Sequence, residues 1–146
     1  MEESLVIGIV LFLHALGALT VGFYLLLPFV ASRLAGLNPQ SQVGFARVLF
    51  NLNRIGQWML VAQFLTGGYL ISQYDKSVPW MIVVIVLFLG IGAMSGMIAG
   101  PLKRIIANGG EGKAAAAKDA SKLSTFSGVA TLLLLALLIM KYFDVI

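Results

Sequence analysis

One histidine, a few amides and hydroxyls, and a short run of arginines are the only residues in this chain whose types suit chemistry. His14 sits in an uncharged run of 27 residues, Leu5 to Ala31. Gln63 and Thr66 lie in a second apolar stretch, and Thr131 in a fourth. If the first two stretches are antiparallel helices, His14 and Gln63 each fall nine residues from the same end. That is about 14 Å of helix, close to mid-bilayer. A His14–Gln63 contact is expected there. Three roles for His14 stand open: an axial haem or metal ligand, a proton-relay or substrate contact, or a buried histidine hydrogen-bonded to Gln63, a threonine or a backbone carbonyl.

Arg47, Asn51, Arg54 and Trp58 follow at spacings of four, three and four, so one helix face carries them, with Asn53 and Gln57 as a second polar pair. The apolar runs contain no carboxylate. Arg54 thus has no ready acid partner, and could take a lipid phosphate, a haem propionate or an anionic substrate. The alternative is that it snorkels to the headgroups. Met94 and Met97 would suit copper(I) but are read as apolar filler.

Much chemistry is excluded. There is no cysteine, hence no disulfide, thiolate nucleophile or Cys-ligated cluster. One histidine per chain rules out a metal site built from several imidazoles of one chain. The glycines of the third run lie within an apolar helix and not after a strand, so they are no nucleotide fingerprint. A net charge of +4 could suggest nucleic acid, but in so apolar a chain it reflects cytoplasmic loops, and no nucleic-acid partner is expected.

The elements that position these residues are membrane spans. Hydrophobic residues make up 60% of the 146 positions and charged residues 11%, well below the ~25% of soluble domains. Four spans are predicted, at about residues 5–31, 48–72 with a lead-in from Pro39, 78–100, and 123–143. The fourth is expected to begin as a helix near Lys113, after a break at Asn108-Gly109-Gly110. The fold class is all-α, a single four-transmembrane-helix domain over residues 1–146. Eight of the ten basic residues fall in the first and third loop regions, so those face the cytoplasm and both termini face outward. The acidic Glu2-Glu3 start lacks a basic signal-peptide region, so the first span is read as retained.

Two packing features are expected. Gly92, Gly96 and Gly100 share one face of the third span, which predicts close approach of another helix, within the bundle as the favoured case or between protomers as the alternative. Pro28 is expected to kink the inner end of the first span.

Several short motifs run along the chain: Leu13-His14-Ala15-Leu16-Gly17, Gly22-Phe23-Tyr24, Leu65-Thr66-Gly67-Gly68-Tyr69-Leu70, Trp80, Pro101-Leu102-Lys103-Arg104 and Leu138-Ile139-Met140. Through them the chain resembles a family of small bacterial four-helix membrane proteins. It is distantly similar to the membrane part of copper-resistance D proteins and to HemJ-type protoporphyrinogen oxidases. The resemblance implies a multi-pass protein of the bacterial inner membrane with a haem or copper connection, and it carries over at His14. The chain departs from the HemJ-type pattern in having no second histidine and no lysine in the middle of the third span.

The leading expectation is a haem-associated or redox-related membrane protein using His14, with Arg54 and Gln63 as further cofactor contacts. The alternatives are a cofactor-free transporter or channel-like module, with His14 and Gln63 lining a polar path, and an accessory subunit. The lipid bilayer is the expected partner, with a homo-oligomer or a larger membrane complex as the candidate assemblies.

Overall fold

The computed structural model describes the backbone of residues 1–108 and 113–143, and the side chains of 1–108 and 117–143. Five helices follow in order: α1 (Glu2–Val21), α2 (Phe23–Leu34), α3 (Pro39–Gln73), α4 (Val78–Ala107) and α5 (Lys113–Phe143). Among the described residues there is no strand. The Gly109-Gly110 break lies outside the described residues.

Local sequence explains the boundaries. Pro39 opens α3, where a missing backbone donor does no harm, and the Asn38 side chain accepts from Ser41 N at 2.9 Å. Ser77 caps α4 in the same way, accepting from Trp80 N at 3.3 Å. The α4 start is tied to the α5 end by Trp80, whose ring nitrogen donates to the Met140 carbonyl at 3.1 Å.

Three stretches are long and apolar enough to cross a membrane: Glu2–Leu34, Val78–Ala107 and Ala117–Phe143. The expected count of four is corrected to three on this criterion. α3 is 35 residues long, but Arg47, Asn51, Asn53, Arg54, Gln57 and Gln63 dilute its apolar content.

The core follows a period of alternating threes and fours. The buried positions of α3 include Gln42, Ala46, Leu49, Asn53, Gly56 and Leu60. On α4 they include Ile91, Ser95, Ile98, Leu102 and Ile105, with Pro101 beside Leu102 and Trp80 at the helix start. On α5 they are Ala120, Leu123, Ser127, Ala130 and Leu134. This is the seam of helices packed at shallow left-handed crossing angles. The first helix has Gly17, Val21, Tyr24, Leu27, Ala31 and Leu34. Its seam skips a beat between Val21 and Leu27, with two successive steps of three.

That step coincides with the interruption at Gly22, which separates α1 from α2. Gly22 keeps right-handed helical backbone angles, with its N–H on the Ala18 carbonyl, and α2 runs unbroken through Pro28. The N-terminal half, α1, packs on α3; the C-terminal half, α2, packs chiefly on α5. Elsewhere α3 packs on α4 and α4 on α5. Antiparallel pairing is visible in the side chains: His14 meets Thr66 while Tyr24 meets Asn53, and Phe64 meets Phe88 while Phe50 meets Lys103.

No helix of the same chain packs closely on the Gly92–Gly96 part of the α4 glycine stripe, against the favoured within-bundle expectation. A Cβ built on Gly92 or Gly96 would meet nothing within 4 Å. At Gly100 it would meet only the guanidinium of Arg104, which folds back over it from the same helix. Helices approach closely instead at Gly17, against Gln63, and at Gly56, against Tyr24. The reason is phase: 91, 95, 98 and 102 form the buried seam, and the glycines fall beside it.

Candidate functional site

Two polar clusters lie inside this apolar scaffold. The first joins α1 to α3 around His14. The imidazole Nδ1 is 2.8 Å from the Thr66 hydroxyl. That hydroxyl is also 2.7 Å from the Ala62 carbonyl one turn back, where its single proton is donated. Thr66 Oγ1 is then an acceptor toward the ring, and Nδ1 carries the proton. Nε2 keeps its lone pair. It has no hydrogen-bond partner among the described residues, and no unpartnered side-chain nitrogen or oxygen there is buried. Nε2 is therefore reached from outside the chain.

The expected His14–Gln63 contact exists in altered form. Gln63 Nε2 donates to the backbone carbonyl of His14, not to its ring. It does so over Gly17, where any side chain would collide with the amide. Gly67 serves the ring similarly: a Cβ there would sit 3.3 Å from His14 Cε1. Gln63 and Gly17 thus fix the backbone that carries His14, while Thr66 and Gly67 fix its ring.

Arg54 does not join them. It is exposed and nine residues from Gln63, half a helical turn out of phase, so it projects from the opposite side of α3. Its stripe partners Arg47, Asn51 and Trp58 are exposed as well. Met94 packs against the core while Met97 is largely exposed. Among the described residues, no group of three or more His, Cys, Asp or Glu could hold a metal ion. A metal at His14 would therefore be held by one imidazole of this chain.

The second cluster was not recognised from the sequence as a unit. The fully buried Tyr24 hydroxyl donates to Asn53 Oδ1 at 2.8 Å. Asn53 Nδ2 donates to the Ser95 carbonyl at 2.9 Å, and Gln57 reaches the same oxygen at 3.3 Å. Ser95 Oγ donates to the Gly92 carbonyl at 2.7 Å. On the other side of Tyr24, the Thr131 hydroxyl lies 2.7 Å from the Tyr24 carbonyl and 2.9 Å from that of Ser127. Pro28 explains this contact. It has no N–H to offer the carbonyl four residues back, and that carbonyl belongs to Tyr24. Thr131 fills the place. The cluster links α2, α3, α4 and α5, and every buried polar side-chain atom in it is partnered. Such a closed network specifies packing and leaves no group free for a ligand.

The two clusters differ in the property that matters for function. The Tyr24 cluster is sealed, whereas the His14 cluster ends in an open ring nitrogen. Comparison with protein-family models, with curated proteins and with solved structures finds no match for this chain.

Proposed function

We propose that this protein is a multi-pass membrane module that presents a single imidazole, His14, to a haem-type redox cofactor. The observation that carries the reading is the open Nε2 of a ring held at Nδ1 by Thr66. A lone pair left unpaired among lipid tails costs several kcal/mol by order of magnitude, so an occupant is expected. Thr66 gives His14 the second partner that metal-bound imidazoles carry. Haem, when bound, would supply one-electron chemistry, and His14 is the residue of this chain that would hold it. Arg54 is too far round α3 to meet a propionate of the same group. One chain offers a single imidazole, so any further imidazole toward the group would be His14 of another copy.

In this reading α3 crosses the membrane as a fourth span. It is packed along α1 and the start of α2, from His14 to Tyr24, and along α4 from Lys103 to Phe88. A helix docked along two membrane helices over that length crosses with them. Both termini then lie on the outer face.

Visible absorbance of protein purified in mild detergent after growth with added haem tests the cofactor. A Soret band is expected, and His14→Ala should abolish it with helical content unchanged. Thr66→Val should keep the band but weaken haem affinity by about 10-fold or more, the usual effect of removing an imidazole's outer partner. Wild-type protein without a band, or His14→Ala with an undiminished one, overturns the reading.

A further inference from the structure

We propose that the face carrying Arg47, Arg54 and Lys103 is a binding site for the headgroup of an anionic phospholipid. It is independent of His14 and of any cofactor. Lys103 Nζ lies 5.9 Å from the centre of the Phe50 ring, which brings α4 to the side of the α3 stripe. Arg47 precedes Phe50 by three residues and Arg54 follows it by four, so both flank that ring on one face. All three cations are exposed. Neither arginine has an ion-pair partner among the described residues.

Among the described residues this face has no internal counter-ion. The described acidic residues are Glu2, Glu3, Asp75 and Asp119. The first three sit at the opposite end of the bundle. Asp119 is held by Arg104 at 2.7 Å. Among the described residues, three positive charges grouped about one ring therefore face outward with nothing of opposite sign beside them, an arrangement that suits an anion from outside.

Depth selects the occupant. Lys103 lies 25 residues beyond Val78, or about 37 Å along α4, which exceeds a hydrocarbon core of about 30 Å. The cluster is thus level with the headgroups when α4 spans the bilayer. Trp58, one turn beyond Arg54 on the stripe, is 68% exposed and marks the start of the apolar zone. Asn51, between the arginines, adds an amide donor. Arginine forks suit phosphate oxygens, and the ring and aliphatic stems suit the upper acyl chain.

The test uses the full chain in phosphatidylcholine vesicles containing a minor fraction of chain-brominated phosphatidylglycerol, against the same fraction of brominated phosphatidylcholine. Bromine quenches tryptophan on contact. Trp80 is 9% exposed, so Trp58 is the reporter, and Trp58→Phe should remove the difference. The quenching curves should give a preference for phosphatidylglycerol of about fivefold or more, the scale of one basic residue near a membrane surface. Arg47→Gln with Arg54→Gln and Lys103→Gln should bring the ratio close to one, with helicity retained. Arg47→Lys with Arg54→Lys should keep most of it. Equal quenching in the wild type, or an undiminished preference in the triple glutamine variant, overturns the site. Displacement by inorganic phosphate beyond that by chloride of equal ionic strength would assign the face to soluble phosphate, and also overturn it.

Discussion

Gly56 and Gly96 are both helical glycines, yet their surroundings are opposite. A Cβ on Gly56 would lie 2.8 Å from the Tyr24 hydroxyl oxygen, an atom already committed to Asn53. A Cβ on Gly96 would meet nothing within 4 Å. Gly56→Ala should therefore displace Tyr24, break its bond to Asn53 and destabilise the fold by about 1–3 kcal/mol. Gly96→Ala should be neutral or stabilising by up to about 1 kcal/mol, through helix propensity alone. Thermal unfolding of the two variants in one detergent checks both, and a larger loss for Gly96→Ala would contradict the packing described. At this scale the sequence was informative about which residues mattered and less so about how they pair. The depth match of His14 with Gln63 and Thr66 was legible because helix rise converts numbering into height. Ring partner and backbone partner were not, because they depend on rotation about each helix axis. Pro28, four residues on, already implies a bare carbonyl at Tyr24, but that Thr131 fills it and that the Tyr24 hydroxyl meets Asn53 depend on how the helices rotate against one another.

The helices themselves were the most legible feature, and their ends lie within a few residues of the expected bounds, apart from α4, which runs seven residues beyond Gly100. Uncharged length is a strong signal, and Asn38-Pro39 and Ser77-Val78-Pro79 punctuate it. The buried faces were obscure for a physical reason. A membrane helix is apolar toward lipid and toward its neighbours alike, so hydrophobicity does not tell the seam from the outside. The polar stripe of Arg47, Asn51, Arg54 and Trp58 has the same 4-3-4 spacing as the seam of Leu49, Asn53, Gly56 and Leu60. Packing turned the second inward and the first outward. The irregular step in the first helix supplies a test. If Thr131 serves a carbonyl left bare by Pro28, the two residues are coupled. Thr131→Val should cost about 1–3 kcal/mol in the wild type and markedly less in a Pro28→Ala background, where residue 28 regains its N–H. Equal costs in the two backgrounds would separate Thr131 from Pro28.

At the scale of the molecule, the four-span reading of α3 determines where the ends of the chain lie. With four crossings, reporters fused to either terminus should both be active outside the cytoplasm. With three, they should disagree. Paired fusions of an alkaline phosphatase and a fluorescent protein at each end separate these outcomes, and two ends active in the cytoplasm would overturn the proposed orientation.

The division of the first helix at Gly22 also imposes an order on how the protein is made. α1 finds its partner in α3, with the hydroxyl of Thr66 52 residues after His14. α2 has its main partner in α5, and the Tyr24 carbonyl receives its donor from Thr131, 107 residues later. At ribosomal speeds of about 5–20 residues per second, that carbonyl waits roughly 5–20 s after synthesis for the hydroxyl that satisfies it. Until then the C-terminal half of the first helix is an unfinished surface inside the membrane. A nascent chain halted before α5 would hold a formed α1–α3 pair beside a bare carbonyl. The first helix is therefore fully partnered only when the last one has docked.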